Sequence, residues 1–256
     1  MVAQLYCDWQ VTEVVESESS PFGHRFGGPI EHDGVSEGEC GFPCQMLYHL
    51  SADDPYLRIR IPGVKWLPLY YSFCFENRTM RTSYRVVSES RVVTYFDQPP
   101  SAVPAGDRFP WGDSPREFPE APVALQPIPF DATNRKDVRQ YAGVFGIGRL
   151  SAADKQELLE EFRSEWDSWS PDPWSGPMEG LLEAMGGPCP QGPPRSACPN
   201  PECENHERRN TLELFAIVPS HPVSHCSLWG EWAEFTVIIY EMCSRCSTIT
   251  ATNQCT

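Results

Sequence analysis

The sequence predicts a mainly β protein of the α+β class, built from two related sheet-containing halves with a zinc ribbon in the second. Three observations lead there. Short runs of alternating or β-branched and aromatic residues recur near both ends of the chain. Two cysteine pairs, Cys198 with Cys203 and Cys243 with Cys246, have the spacing of metal-binding knuckles. A Gly-Gly-Pro turn, two cysteines and two strands occur twice in the same order.

Taken in chain order, the run through residues 9–15 reads as an opening strand closed by a Glu/Ser cluster. The double glycine before Pro29 marks a turn that needs unusual backbone angles or close approach of another segment. Residues 45–50 and 67–75 read as strands, the second with Leu69, Tyr71 and Phe73 on one face. Residues 84–87 and 91–96 are two more. From 97 to about 131 the composition turns to Pro, Ala, Asp and Gly without periodicity, which predicts a linker or long loop tacked down by Trp111 and Phe118.

A helix is expected over 152–166, because Ser151 is a good N-cap and Leu158, Phe162 and Trp166 recur every four residues. Gly143 to Gly148 before it reads as a loop. A shorter helix over 177–185 starts at Pro177 and stops at Gly186-Gly187. Strands over 211–218 and 235–242 then bracket a Pro/Ser/His loop. The resulting organisation is an N-terminal β-rich repeat over 1–96, a Pro-rich linker or long loop over 97–140, and a helix plus C-terminal β-rich repeat with the ribbon over 141–256.

The cysteines carry the chemistry. A thiolate pair two to four residues apart closes a knuckle on one Zn²⁺, and two knuckles complete a tetrahedral shell. The predicted ligands are therefore Cys198, Cys203, Cys243 and Cys246, holding one structural ion. The chain has 11 cysteines, an odd number, and opens without a basic region and apolar core of signal-peptide type, so a reducing, cytoplasmic setting and metal rather than disulfides are expected. Cys189, Cys226, Cys255 and His206 lie near the same module as alternative ligands. In the first copy Cys40, Cys44 and Cys74 supply three thiolates, but Asn77 stands where the fourth belongs; Cys7 or a nearby histidine would have to complete that shell, and loss of metal is expected there.

Charge narrows the partners. With 35 acidic against 20 basic residues the formal charge is −15, which repels phosphate backbones and anionic membrane surfaces and suits a basic protein partner. No apolar run reaches the ~18 residues of a membrane span. A hydrophobic content of 40% still supports a folded core.

Considered with the family it resembles, the chain is similar to the programmed cell death protein 2 family and its bacterial YwqG-like relatives. The likeness rests on His24-Arg-Phe-Gly-Gly-Pro29, on Gln45 to Leu50, on Leu69 to Cys74, and on 212–219 and 237–243 around the knuckles. It departs in the four-residue gap between Cys198 and Cys203 and in the degenerate first finger. The resemblance implies a cytoplasmic, non-catalytic protein, and in eukaryotic members a dedicated chaperone for a ribosomal protein of the small subunit. An acidic escort for a basic client is physically sensible.

The expected function is thus a zinc-stabilised protein-interaction or chaperone-like module. One alternative is an immunity-type binder that neutralises a basic toxin. Another is a hydrolase drawing on His24, Glu31, His32 and Asp33, or on His221, His225 and Cys226. No nucleophile elbow, His-Glu-x-x-His, phosphate loop or dinucleotide fingerprint is present.

Overall fold

A computed structural model describes residues 2–35, 44–73, 81–95, 117–187, 194, 196–229 and 236–255. The chain opens with β1 (Ala3–Cys7) and β2 (Gln10–Glu16), where one strand was expected. They form a hairpin closed at Cys7 and Gln10, with Asp8 (φ 49°) and Trp9 (φ 63°) between them. Two successive left-handed residues make the turn whose twist suits a hairpin. Asn-Gly normally supplies it, and Asp-Trp carried no such signal.

The remaining strands are β3 (Arg25–Phe26), β4 (Gln45–Ser51), β5 (Trp66–Tyr71), β6 (Arg81–Ser88), β7 (Arg91–Tyr95), β8 (Ala121–Ile128), β9 (Leu212–Val218), β10 (Val237–Cys243) and β11 (Thr248–Gln254). All eleven join one antiparallel sheet in the order β5-β4-β3-β8-β2-β1-β9-β10-β11-β6-β7. This corrects the division into halves. Strands β6 and β7, from the N-terminal part, continue the ladder of C-terminal β11, so the two parts share one sheet and the duplication is not shown.

The linker assignment is corrected too. β8 lies inside the stretch read as a loop, between β2 and β3, with Ala121, Val123 and Leu125 buried and Phe118 packed beneath. Its two prolines hid it. Val123 donates to the His24 carbonyl on the β3 side, so alternation puts the Pro127 nitrogen on that side as well. Pro127 lies opposite the chain before β3 begins at Arg25, and no ladder bond is lost. Residues 96–116, including Trp111, lie outside the described residues.

The sheet curls until its tenth strand meets its first. The Tyr84 hydroxyl on β6 donates to the Pro68 carbonyl (2.8 Å) and accepts from the Tyr70 amide (3.0 Å), and Thr82 Oγ1 accepts from the Ser72 amide (2.9 Å). Side chains thus satisfy the exposed edge of β5 in place of another strand. Tyr84→Phe keeps the ring but orphans two buried backbone groups, and should lower unfolding stability by about 2–4 kcal/mol in urea titrations.

Of three helices, the first packs on the sheet through Tyr141, and the other two pack on that helix and on each other. α1 (Arg135–Phe145) was not expected; Asn134 caps it by accepting from the Lys136 amide, and Val138, Tyr141 and Ala142 are buried. α2 (Ala152–Trp169) starts at Ser151 as expected, runs three residues further, and buries Leu158 and Phe162. α3 (Met178–Met185) ends at Gly186. Arg135 and Arg139 of α1 pair with Glu157, Glu161 and Glu165 of α2, which holds the two helices in register. No helix of the described residues is long and apolar enough to cross a membrane.

Candidate metal centre

Strands β9 and β10 bring the two cysteine pairs together. Cys243 is the last residue of β10 and pairs with Leu212, the first of β9. The chain then turns through Ser244 and Arg245 to Cys246 and enters β11, the Ser247 amide (φ 55°) closing the turn on the Cys243 carbonyl (2.8 Å). The other knuckle precedes β9. Asn200 accepts the Glu202 amide with its side chain and the Cys203 amide with its carbonyl, which folds Cys198 and Cys203 towards each other.

The four sulfurs lie within 4.8 Å of one another. Cys198 Sγ is 3.5 Å from Cys246 Sγ, and Cys203 Sγ is 3.8 Å from Cys243 Sγ. Four thiolates at the usual ~2.3 Å from one tetrahedral ion would be about 3.8 Å apart. A disulfide needs about 2.05 Å, and all four cysteines are free. The arrangement fits one metal ion. Cys198, Cys203 and Cys243 are buried, Cys246 partly so. Comparison with protein-family models, curated proteins and solved structures finds no match.

The surroundings favour charge on the sulfurs. Asn205 donates its amide to Cys203 Sγ (3.4 Å) and its side-chain nitrogen to Cys243 Sγ (3.6 Å). Cys246 Sγ lies 3.0 Å from Thr248 Oγ1. Burial pushes the Cys198 and Cys203 thiols up. Burial also opposes ionisation of Cys246, but bonds from Thr248 and from the Cys203 and Cys198 thiols outweigh it and hold Cys246 down to about 6. A divalent cation would displace the protons that the thiols hold. Arg245 reaches Glu204 (3.0 Å) and clips one knuckle to the other. Asn205, Thr248 and this clip were not legible from cysteine spacing.

The alternative ligands are elsewhere. His206 Nδ1 lies 3.1 Å from the Cys198 carbonyl and its Nε2 3.6 Å from Glu207, outside the sulfur shell. Cys226 is buried in the 223–226 turn, and Cys255 is exposed beside Thr236. Of the N-terminal cysteines, Cys44 is buried in the core and Cys7 is half-buried in β1. Cys40, Cys74, Asn77 and Cys189 lie outside the described residues.

The residues considered for hydrolysis are mostly engaged in structure. His24 Nδ1 accepts from the Ser51 amide (2.9 Å), which fixes the proton on Nε2, and Nε2 donates to Asp54 Oδ2 (2.8 Å). Both ring nitrogens are occupied, and both residues are buried. His32 Nδ1 meets the Tyr70 hydroxyl (2.7 Å), and Asp33 pairs its backbone with Ser90 and Val92. His221 contacts Ser220, and His225 Nδ1 is 3.6 Å from Glu16. Burial pushes the Cys226 thiol up to about 11, the reverse of what a nucleophile needs.

A buried histidine that sequence reasoning missed is His49, stacked on Trp66 at 4.5 Å between ring centres. From its ordinary 6.5 it is pushed down to about 4 by burial, with Arg25 and His32 acting in the same direction and Glu31 against them. The fold thus prefers the neutral ring. That contribution is complete above pH 6.5 and is lost as pH falls through 4; a shift of this size corresponds to about 3 kcal/mol. Wild type should lose more stability than His49→Gln between pH 7 and pH 4, read from urea midpoints at each pH.

Proposed function

We propose that Cys198, Cys203, Cys243 and Cys246 hold one Zn²⁺ as a structural ion and that the chain is a non-catalytic protein-interaction or chaperone-like module acting in the cytoplasm. The observation that carries this is the mutual approach of four sulfurs within 4.8 Å, drawn from two segments some forty residues apart. An all-sulfur donor set selects zinc over harder divalent ions. Four protein ligands also leave no open position for water, so the ion would contribute folding energy rather than Lewis acidity. The net charge of −15 supports a basic protein partner. Kinship with the programmed cell death protein 2 family belongs to the same proposal, on the sequence motifs alone.

Elemental analysis of purified protein should give one zinc per chain, and affinity purification from cells should recover a basic protein that dissociates at high salt. Absence of zinc, or full thermal stability in chelator, would overturn the metal reading.

A further inference from the structure

Beside the sulfur cluster the sheet opens. β9 pairs with β10 from Leu212 to Val218, interrupted by one bulge, but with β1 only at Ala216 and Ile217. The bulge near Phe215 turns the start of β9 away; the Leu212 amide donates to the Ser196 carbonyl (3.3 Å), and residues 213–215 run past the β1 ladder without a strand partner on that side among the described residues. The gap is a cleft of about 740 Å³, a volume in the range of binding sites.

One wall is aromatic and strained. Trp9 holds a left-handed φ of 63° at the hairpin tip, where a bulky side chain costs energy. It stacks on Phe145 of α1 at 5.5 Å and lies under the Arg149 guanidinium at 4.8 Å, which keeps the indole at the cleft. The charged lining is Asp8, Glu213 and Glu241 against Arg58 and Arg60. The Arg60 guanidinium already donates to the carbonyls of Ile59 and Asp54. Three carboxylates thus face two guanidiniums in the lining, with Arg149 outside it on Trp9, and Asp8 and Glu213 are exposed.

We propose, resting on the interaction-module reading above, that this cleft takes an extended segment of a partner protein as an added strand on β9. Residues 213–215 supply the backbone edge, the Trp9 and Phe145 wall takes an apolar side chain, and Asp8 and Glu213 take a lysine or arginine. The Leu212–Cys243 pair joins the start of β9 to the metal knuckles.

The test pans a display library of random twelve-residue peptides against the full chain and synthesises the strongest binder with a fluorescent label. The expected binder carries a basic residue, binds at least tenfold more weakly to Trp9→Gly and Glu213→Lys, and slows amide exchange at 213–215. Glycine suits the left-handed position, so Trp9→Gly should stay folded, and circular dichroism checks both variants. An absence of any binder, unchanged binding in both folded variants, or no protection at 213–215 would overturn the inference. If zinc is present at one per chain while the variants bind as wild type does, the cleft fails and the metal reading stands. If a folded zinc-free protein binds the peptide with these variant effects, the cleft stands and the metal reading fails.

Discussion

Cys243→Ser should remove bound zinc and lower the melting temperature by about 10–20 °C, the largest effect expected of any single substitution in this chain. Structural zinc sites bind with about 10–16 kcal/mol in isolated peptides, comparable to the whole stability of a typical domain. Losing even about 5 kcal/mol shifts a domain of this size by that much. The position of the site amplifies the effect. β9, β10 and β11 lie between β1 and β6, so the knuckles secure the inside of the sheet rather than a detachable end. Chelator should reproduce the loss in wild type and change Cys243→Ser little, as read by calorimetry with zinc measured on the same samples. The sign with pH follows from the thiols: acid protonates them and competes with the metal, so zinc should be released as pH falls, with proton release on rebinding. A wild-type protein equally stable with and without chelator would remove the metal from the account of folding.

Asp54→Ala should cost about 3–5 kcal/mol, the second largest effect. The carboxylate is buried, accepts from His24 Nε2 (2.8 Å) and from the Tyr56 amide (2.7 Å), and through His24 reaches the Ser51 amide at the end of β4. The chain ties β3, the 52–57 turn and β4 together, so its removal strands several buried polar groups at once. A double-mutant cycle with His24→Ala should show strong coupling, because the second substitution finds the interaction already broken. Additive losses in urea titrations would mean that the two side chains stabilise the fold separately.

Sequence reasoning reached the four cysteines, the strands that carry them and the N-cap of α2 because each depends on residues close in sequence. A knuckle needs two thiols a few residues apart, and Ser151 needs only the Asp154 amide. Neighbours distant in sequence were not legible. His49 reads as one more residue in an apolar strand until the fold brings Trp66, Glu31 and His32 around it. The linker reading of 121–128 failed for the same reason: proline is tolerated there only because β3 is two residues long.

What the sequence determined by itself was the donor set and the strand-forming runs, since thiol spacing and side-chain alternation are local properties. Only the tertiary structure decided that both ends of the chain share one sheet, that its tenth strand meets its first through the Tyr84 hydroxyl, and that β1 and β9 part beside the sulfur cluster. Strand order and register are set by which apolar faces are buried together, and that is a property of the whole chain rather than of any segment.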